Sequence, residues 1–272
     1  MKVHHLDCLS MCPVGGRLFN RHGRFCCHVL LVESEQGLVL VDTALGTAAM
    51  AALEEWTSAS FVRLVRPEPD DERTALRQIE ALGFTAADVR HVVLTHLDTD
   101  HAGGLADFPA AEVHLLADEH DAAMALATAR DRERYNPRHW AHGPRWRLHR
   151  PKGERWYGFE AVRDLPGLPP EILLVPLPGH TLGHTGVAVD TGQRWLLHCG
   201  DAYMDHKETQ RPPGGAPALR LFERLEAVDA AQRRANLARL HDLVAGVGEG
   251  MSIFCAHDPD ELERLRGRPE AG

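Results

Sequence analysis

Cationic surplus, long apolar runs and paired cysteines are all missing from this chain of 272 residues. Thirty Lys and Arg stand against 39 Asp and Glu, a net charge of −9. A duplex-binding protein carries a basic footprint, so this balance argues against a nucleic-acid partner. No apolar run nears the roughly 18 residues of a membrane span, so no membrane partner is expected. The first ten residues hold two His and one Asp but no signal-peptide core, and the expected location is the cytoplasm. Six cysteines (Cys8, Cys12, Cys26, Cys27, Cys199, Cys255) include no Cys-x-x-Cys pair. That excludes a disulfide scaffold and a cysteine-based zinc ribbon, and leaves small buried or loop thiols.

What is present is an ordinary globular composition, 44% apolar and 25% charged, with 18 histidines as its oddity. Histidine is the common metal ligand and the common acid–base group, and spacing separates those roles from surface histidines.

Along the chain, strand and helix patterns alternate. Residues 25–32 and 38–41 read as a hairpin around Glu33-Ser34-Glu35-Gln36-Gly37. Residues 47–56 are Ala-rich and helix-compatible. Asp71 is placed to cap a helix through Leu82, with Gly83 stopping it. Val92-Val93-Leu94 reads as a buried strand opening onto a polar loop. Residues 172–177, 186–189, 195–198 and 252–256 read as further strands, and 216–244 as one long helix or two. Strands and helices in this order predict an α/β protein with sheets packed between helix layers. The N-terminal His4-His5 and Met11-Cys12-Pro13 read as a surface strand and loop.

Residues 130–163 stand apart. Ten Arg and Lys there face four Asp and Glu, and Trp140, Trp146 and Trp156 lie among them. The stretch reads as an irregular surface insertion, or as a substrate-mouth or dimer segment, since Trp and Arg favour recognition surfaces.

The chemistry concentrates in Thr95-His96-Leu97-Asp98-Thr99-Asp100-His101-Ala102-Gly103-Gly104. Four potential ligands fall within six residues, and a buried cluster of carboxylates and imidazoles needs cations to neutralise it. Gly103 and Gly104 are read as allowing a sharp turn behind the ligands. Pro178-Gly179-His180-Thr181-Leu182-Gly183-His184, Gly200-Asp201 and Ala256-His257-Asp258 each follow a predicted strand, where α/β proteins build sites.

These motifs, with Leu40-Val41-Asp42-Thr43 ahead of them, resemble in order the metallo-β-lactamase superfamily of dinuclear metallohydrolases, and most the N-acyl-homoserine lactonases. The resemblance implies a four-layer αβ/βα sandwich, two mixed sheets between helix layers, in one domain over residues 1–272. It implies that His96, Asp98 and His180 hold one divalent metal, zinc first, while Asp100, His101 and His257 hold a second. Asp201 would bridge the two beside a hydroxide, with Asp42 and His184 supporting the ligands from behind. The implied reaction is metal-dependent hydrolysis of a lactone or related carboxylic ester, a small-molecule substrate, with Asp100 guiding protons. A homodimer is a further expectation. An iron-dependent oxygen-using enzyme and a non-catalytic metal-bound sensor are the competing readings.

Two positions depart from the family. The usual His-x-His-x-Asp-His is here His96-x-Asp98-x-Asp100-His101. With Asp at 98, three carboxylates and a hydroxide against two divalent cations leave a loaded site neutral, where His would leave one positive charge. A neutral site is a weaker Lewis acid, and a carboxylate oxygen is a harder ligand that favours iron or manganese. The lactonases also place a catalytic Tyr three residues after the bridging Asp. Here Tyr203 is two residues after Asp201 and Met204 is third; Tyr203 is the catalytic candidate.

Overall fold

In the computed structural model, which describes residues 1–151, 154–161 and 165–267, most predicted strands join one of two sheets. The first holds β1 (Lys2–Met11), β2 (Phe25–Ser34), β3 (Gly37–Val41), β4 (Pro67–Glu68), β5 (Val89–Val93), β6 (Glu112–Leu116) and β7 (Arg145–His149). Their order is β4-β1-β2-β3-β5-β6-β7. The β4, β1, β2 and β3 neighbours pair antiparallel and β3, β5, β6 and β7 parallel. β8 (Glu154–Trp156) and β9 (Phe159–Ala161) form a hairpin. The second sheet takes β10 (Ile172–Pro176), β11 (Thr185–Asp190), β12 (Trp195–His198) and β13 (Met251–Phe254) in sequence order, antiparallel until the parallel β12–β13 pair. The helices are α1 (Thr47–Ala51), α2 (Leu53–Trp56), α3 (Ala75–Ala81), α4 (Thr99–Ala102), α5 (Ala117–Ala125), α6 (Ala129–Arg134), α7 (Pro217–Glu226), α8 (Ala230–Val247) and α9 (Pro259–Arg266).

The period-two alternation of the strands sets the layers. Ile172 and Leu174 of β10 pack with Leu30, Val39 and Val41 of the first sheet. Their neighbours Leu173 and Val175 face the other way, onto Leu240 and Leu243 of α8. Leu38 and Leu40 of β3 turn outward, into a core shared with Ala49 of α1 and Ile79 of α3. Helices, sheet, sheet, helices follow in order, the expected four-layer sandwich. Each fully buried Leu in it contributes roughly 1.5–3 kcal/mol.

Several boundaries differ from the sequence reading, each for a local reason. Helix α3 starts at Ala75 because the Thr74 hydroxyl accepts from Arg77 N; Asp71 begins a separate 3₁₀ turn. Residues 216–244 take the second of the two forms read for them, two helices that part at Ala227, and the Asp229 carboxylate caps α8 by accepting from Ala231 N and Gln232 N. The N-terminal strand is no surface strand: β1 lies between β4 and β2 and is mostly buried. Nor is residues 130–163 an irregular insertion. It supplies α6, the edge strand β7 and the β8–β9 hairpin, and Trp156 is buried. Lys152 and Arg163 of that stretch lie outside the described residues. Among the described residues, no helix is long and apolar enough to cross a membrane.

Candidate metal centre

At the end of β3 the backbone enters the left-handed region at Asp42 (φ 59°), a conformation that non-glycine residues adopt only under local compulsion. The turn aims the Asp42 carboxylate at the loop after β5. It accepts from Thr95 N (2.8 Å), from Thr95 Oγ1 (2.8 Å) and from His101 Nδ1 (2.8 Å). The neighbouring Thr43 donates from its amide and hydroxyl to the His101 carbonyl. Asp42 therefore orients both the ring and the loop, the supporting position expected of it. Gly103 and Gly104 have ordinary φ values, so the sharp-turn reading is corrected. They are needed for space: a Cβ at 103 would sit 2.5 Å from Thr99 O, and one at 104 would sit 2.8 Å from Thr43 O.

Six imidazole and carboxylate side chains from four loops converge beyond this turn. Asp201 Oδ1 lies 3.1 Å from His257 Nε2 and 3.3 Å from His101 Nε2, while its Oδ2 lies 3.5 Å from His180 Nε2. Asp100 Oδ2 is 3.5 Å from His257 Nε2 and 4.0 Å from His101 Nε2. His96, His180 and Asp201 form one group, and His101, Asp201 and His257 a second, each with its ligand atoms within 4.8 Å of one another. Asp98, the seventh, touches the first group: its Oδ2 is 3.0 Å from His180 Nε2 and 3.5 Å from His96 Nε2. Cys27 lies beside Asp100 and His257 and is an additional potential ligand that the sequence reading left among the inert thiols.

The residues fit a metal. His96 Nε2, Asp98 Oδ1 and Asp201 Oδ1 are buried without a hydrogen-bond partner, a costly arrangement unless a cation completes it. Spacings of 3.1–3.5 Å among the ligand atoms match the edge of a tetrahedron with bonds of about 2.0–2.1 Å. Outer hydrogen bonds fix the rings. His101 Nδ1 faces Asp42, and His257 Nδ1 donates to Cys26 O (2.7 Å), so in both rings Nε2 carries the lone pair inward.

Electrostatics follow from this crowding. Burial alone would lower His101, but Asp201, Asp100 and Asp42 outweigh it and hold its pKa well above the usual imidazole value. Burial would raise Asp201, yet His257 and His101 hold it well below the carboxylate range. His180 goes the other way, to about 4, because burial and then the nearby Arg134 both oppose protonation.

His184 donates from Nδ1 to Leu177 O (2.9 Å) and accepts Asp201 N–H at Nε2 (2.9 Å). Both ring nitrogens are spent, so it positions Asp201. Tyr203 requires a correction. Its ring is fully buried in the core beside α8, and its hydroxyl donates to the Glu261 carboxylate at 3.1 Å. The next residue, Met204, lines the cavity instead.

That cavity, of about 600 Å³, has Asp98, Asp100, His180, Asp201 and His257 on its polar side. Met11, Phe19, Phe25, Phe61, Leu64 and Phe222 form an apolar wall, and Arg130, Glu133, Arg134 and Glu226 add charge at another side. Size and lining suit a small molecule with an apolar group.

Glu119 escaped the sequence reading, and Arg134 stood in it only as one charge of the 130–163 segment. Glu119 of α5 is fully buried, and its Oε1 accepts from Leu97 N and Tyr135 Oη while its Oε2 accepts from Thr181 Oγ1 and Gly183 N. It ties the His96 loop to the His180 loop. Arg134, at the end of α6, places Nη1 2.6 Å from Asp98 Oδ2. Its charge cancels that of Asp98, so the pair is charge-equivalent to a neutral His, which corrects the neutral-site sum. The weaker Lewis acidity expected of a neutral site loses its premise, while the hard carboxylate oxygen that favours iron or manganese remains. Neither residue stands in a motif; the Thr128–Asp131 capping box signals α6 but not what its end touches.

A model of the metallo-β-lactamase superfamily matches residues 22–239. A probable metallo-hydrolase of Mycobacterium tuberculosis is 44% identical over 267 residues, 98% of this chain and 83% of that protein. The N-acyl homoserine lactonase AttM of Agrobacterium fabrum is 28% identical over 75% of this chain and 71% of its own length. Among solved structures, the lactonase AiiA of Bacillus thuringiensis with N-decanoyl-L-homoserine at its active site superposes with a TM-score of 0.73. That match is 19% identical and covers 97% of this chain and 95% of the other.

Proposed function

The chain belongs to the metallo-β-lactamase superfamily, and from that premise we propose that this metal-dependent hydrolase opens a lactone, or cleaves a related carboxylic ester, bearing an apolar acyl group. The observation that carries the reading is the set of orphaned atoms, His96 Nε2, Asp98 Oδ1 and Asp201 Oδ1, beside a cavity with an apolar wall. His96, Asp98 and His180 would hold one cation, Asp100, His101 and His257 another, and Asp201 would belong to both. Bound divalent cations, zinc first because four of the seven side chains are imidazoles, would supply a Lewis acid for the carbonyl oxygen and a water acidified towards neutral pH.

The chain's own groups do the rest. Asp42 and the Cys26 carbonyl hold His101 and His257 with their lone pairs inward. Asp100 lines the cavity beside His257 and is the carboxylate placed to pass a proton to the departing alkoxide. Phe61, Phe222 and Leu64 take the acyl group and keep bulk water from the carbonyl. Relatives named as N-acyl homoserine lactonases support the substrate class. The test is ring opening of an N-acyl homoserine lactone by zinc-replete protein, followed by acid release. Catalytic release of acid is expected; binding without turnover would instead make the protein a ligand sensor.

A further inference from the structure

Arg134 is buried, with a side chain 6% exposed, and is pinned from both ends of its guanidinium. Nη1 lies 2.6 Å from Asp98 Oδ2 and 3.1 Å from His180 Nε2. Nη2 donates to Glu226 O at 2.5 Å, at the C-terminus of α7 where the helix dipole favours a cation. The helix behind it is fixed as well: Thr128 and Asp131 cap α6, and Tyr135 hangs on Glu119.

The guanidinium thus stands on two side chains of one half-site, Asp98 and His180. An imidazole nitrogen has one lone pair, so His180 Nε2 cannot face both an arginine N–H and a metal. The charge is spent too: Arg134 neutralises Asp98, leaving His96, His180 and a share of Asp201. The other half-site differs. Among the described residues, Asp100 and Asp201 pair with the imidazoles of His101 and His257, and Asp201 also with His180, but neither forms an ion pair with an arginine or lysine.

We propose that Arg134 gates the first half-site, so the two half-sites fill in order and unequally. The His101–Asp201–His257 group with Asp100 takes a divalent cation tightly. The His96–His180 group takes one only when Arg134 leaves Asp98 and His180. The inequality is roughly a hundredfold or more in affinity, the scale of breaking one buried charge pair. This rests on the metal-hydrolase reading above.

The test is a competition titration of metal-free full-length protein with zinc against a chromophoric chelator, reading ions bound per chain and each dissociation constant. Wild type should show one tight step and one at least about a hundredfold weaker. Arg134→Met keeps an apolar stem but frees Asp98 and His180, and should bring the two steps within about tenfold of each other. Arg134→Lys, which keeps a cation on Asp98, should preserve the gap. Two equal tight sites in wild type, or a gap unchanged in Arg134→Met, would overturn the proposal while leaving the hydrolase reading intact. No zinc binding at all would sink both. Wild type alone gives a decisive curve should a variant fail to fold.

Discussion

Tyr203 turns its ring into the core and donates its hydroxyl hydrogen bond to Glu261, while Met204 takes the place at the cavity. The consequence is measurable. Tyr203→Phe should leave kcat/KM on a lactone within about twofold and cost about 1–2 kcal/mol in urea unfolding, the scale of one buried hydrogen bond. A tenfold loss of kcat/KM at unchanged stability would place the hydroxyl back in the reaction. At this scale the clustering of these side chains was legible, because His96, Asp98, Asp100 and His101 are close in sequence and His180, Asp201 and His257 each follow a strand. Asp98 was legible as a departure but not in its meaning. Its partner Arg134 is 36 residues away, on a helix whose pattern names no target.

Elements hold these residues through a few buried nodes, and Glu119 is the chief one. Helix α5 carries it under both ligand loops, where its two oxygens receive four donors: Leu97 N, Tyr135 Oη, Thr181 Oγ1 and Gly183 N. Glutamine would set an NH2 against donors on one side. Glu119→Gln should therefore lose about 2–4 kcal/mol of unfolding free energy and weaken zinc binding. An unchanged urea midpoint with full zinc affinity would show that the two loops stand without this node. Strands were the legible elements, since residues 172–177 are an unbroken apolar run, as a strand buried on both faces requires. The start of α3 was not: Asp71 and Thr74 are both good caps, and packing of Ala75 and Ile79 decides between them. β1 was misplaced at the surface because its His and Asp residues look exposed, whereas Leu6, Cys8, Leu9 and Met11 pack into the core with α1 and α3 and Val3 into the core between the sheets.

For the whole molecule, two sheets meet so that loops from β3, β5, β10, β12 and β13 come together at one edge of the sandwich, and the ligands ride on them. That architecture was legible through the family resemblance that the order of the motifs carries. The cavity wall was not legible. Met11, Phe25, Phe61 and Phe222 come from segments far apart in sequence, and only the packed fold shows that they face one opening. The account joins that apolar wall to a metal cluster and makes hydrolysis of an acylated lactone depend on both. The most direct measurement is the rate of ring opening of an N-acyl homoserine lactone in one preparation of metal-free protein given graded zinc, with bound zinc counted in each sample. The account predicts no hydrolysis above background without zinc, and a rate that rises with bound zinc and disappears again on chelation. Zinc-loaded protein that leaves the lactone intact, or metal-free protein that opens it as fast, would contradict it.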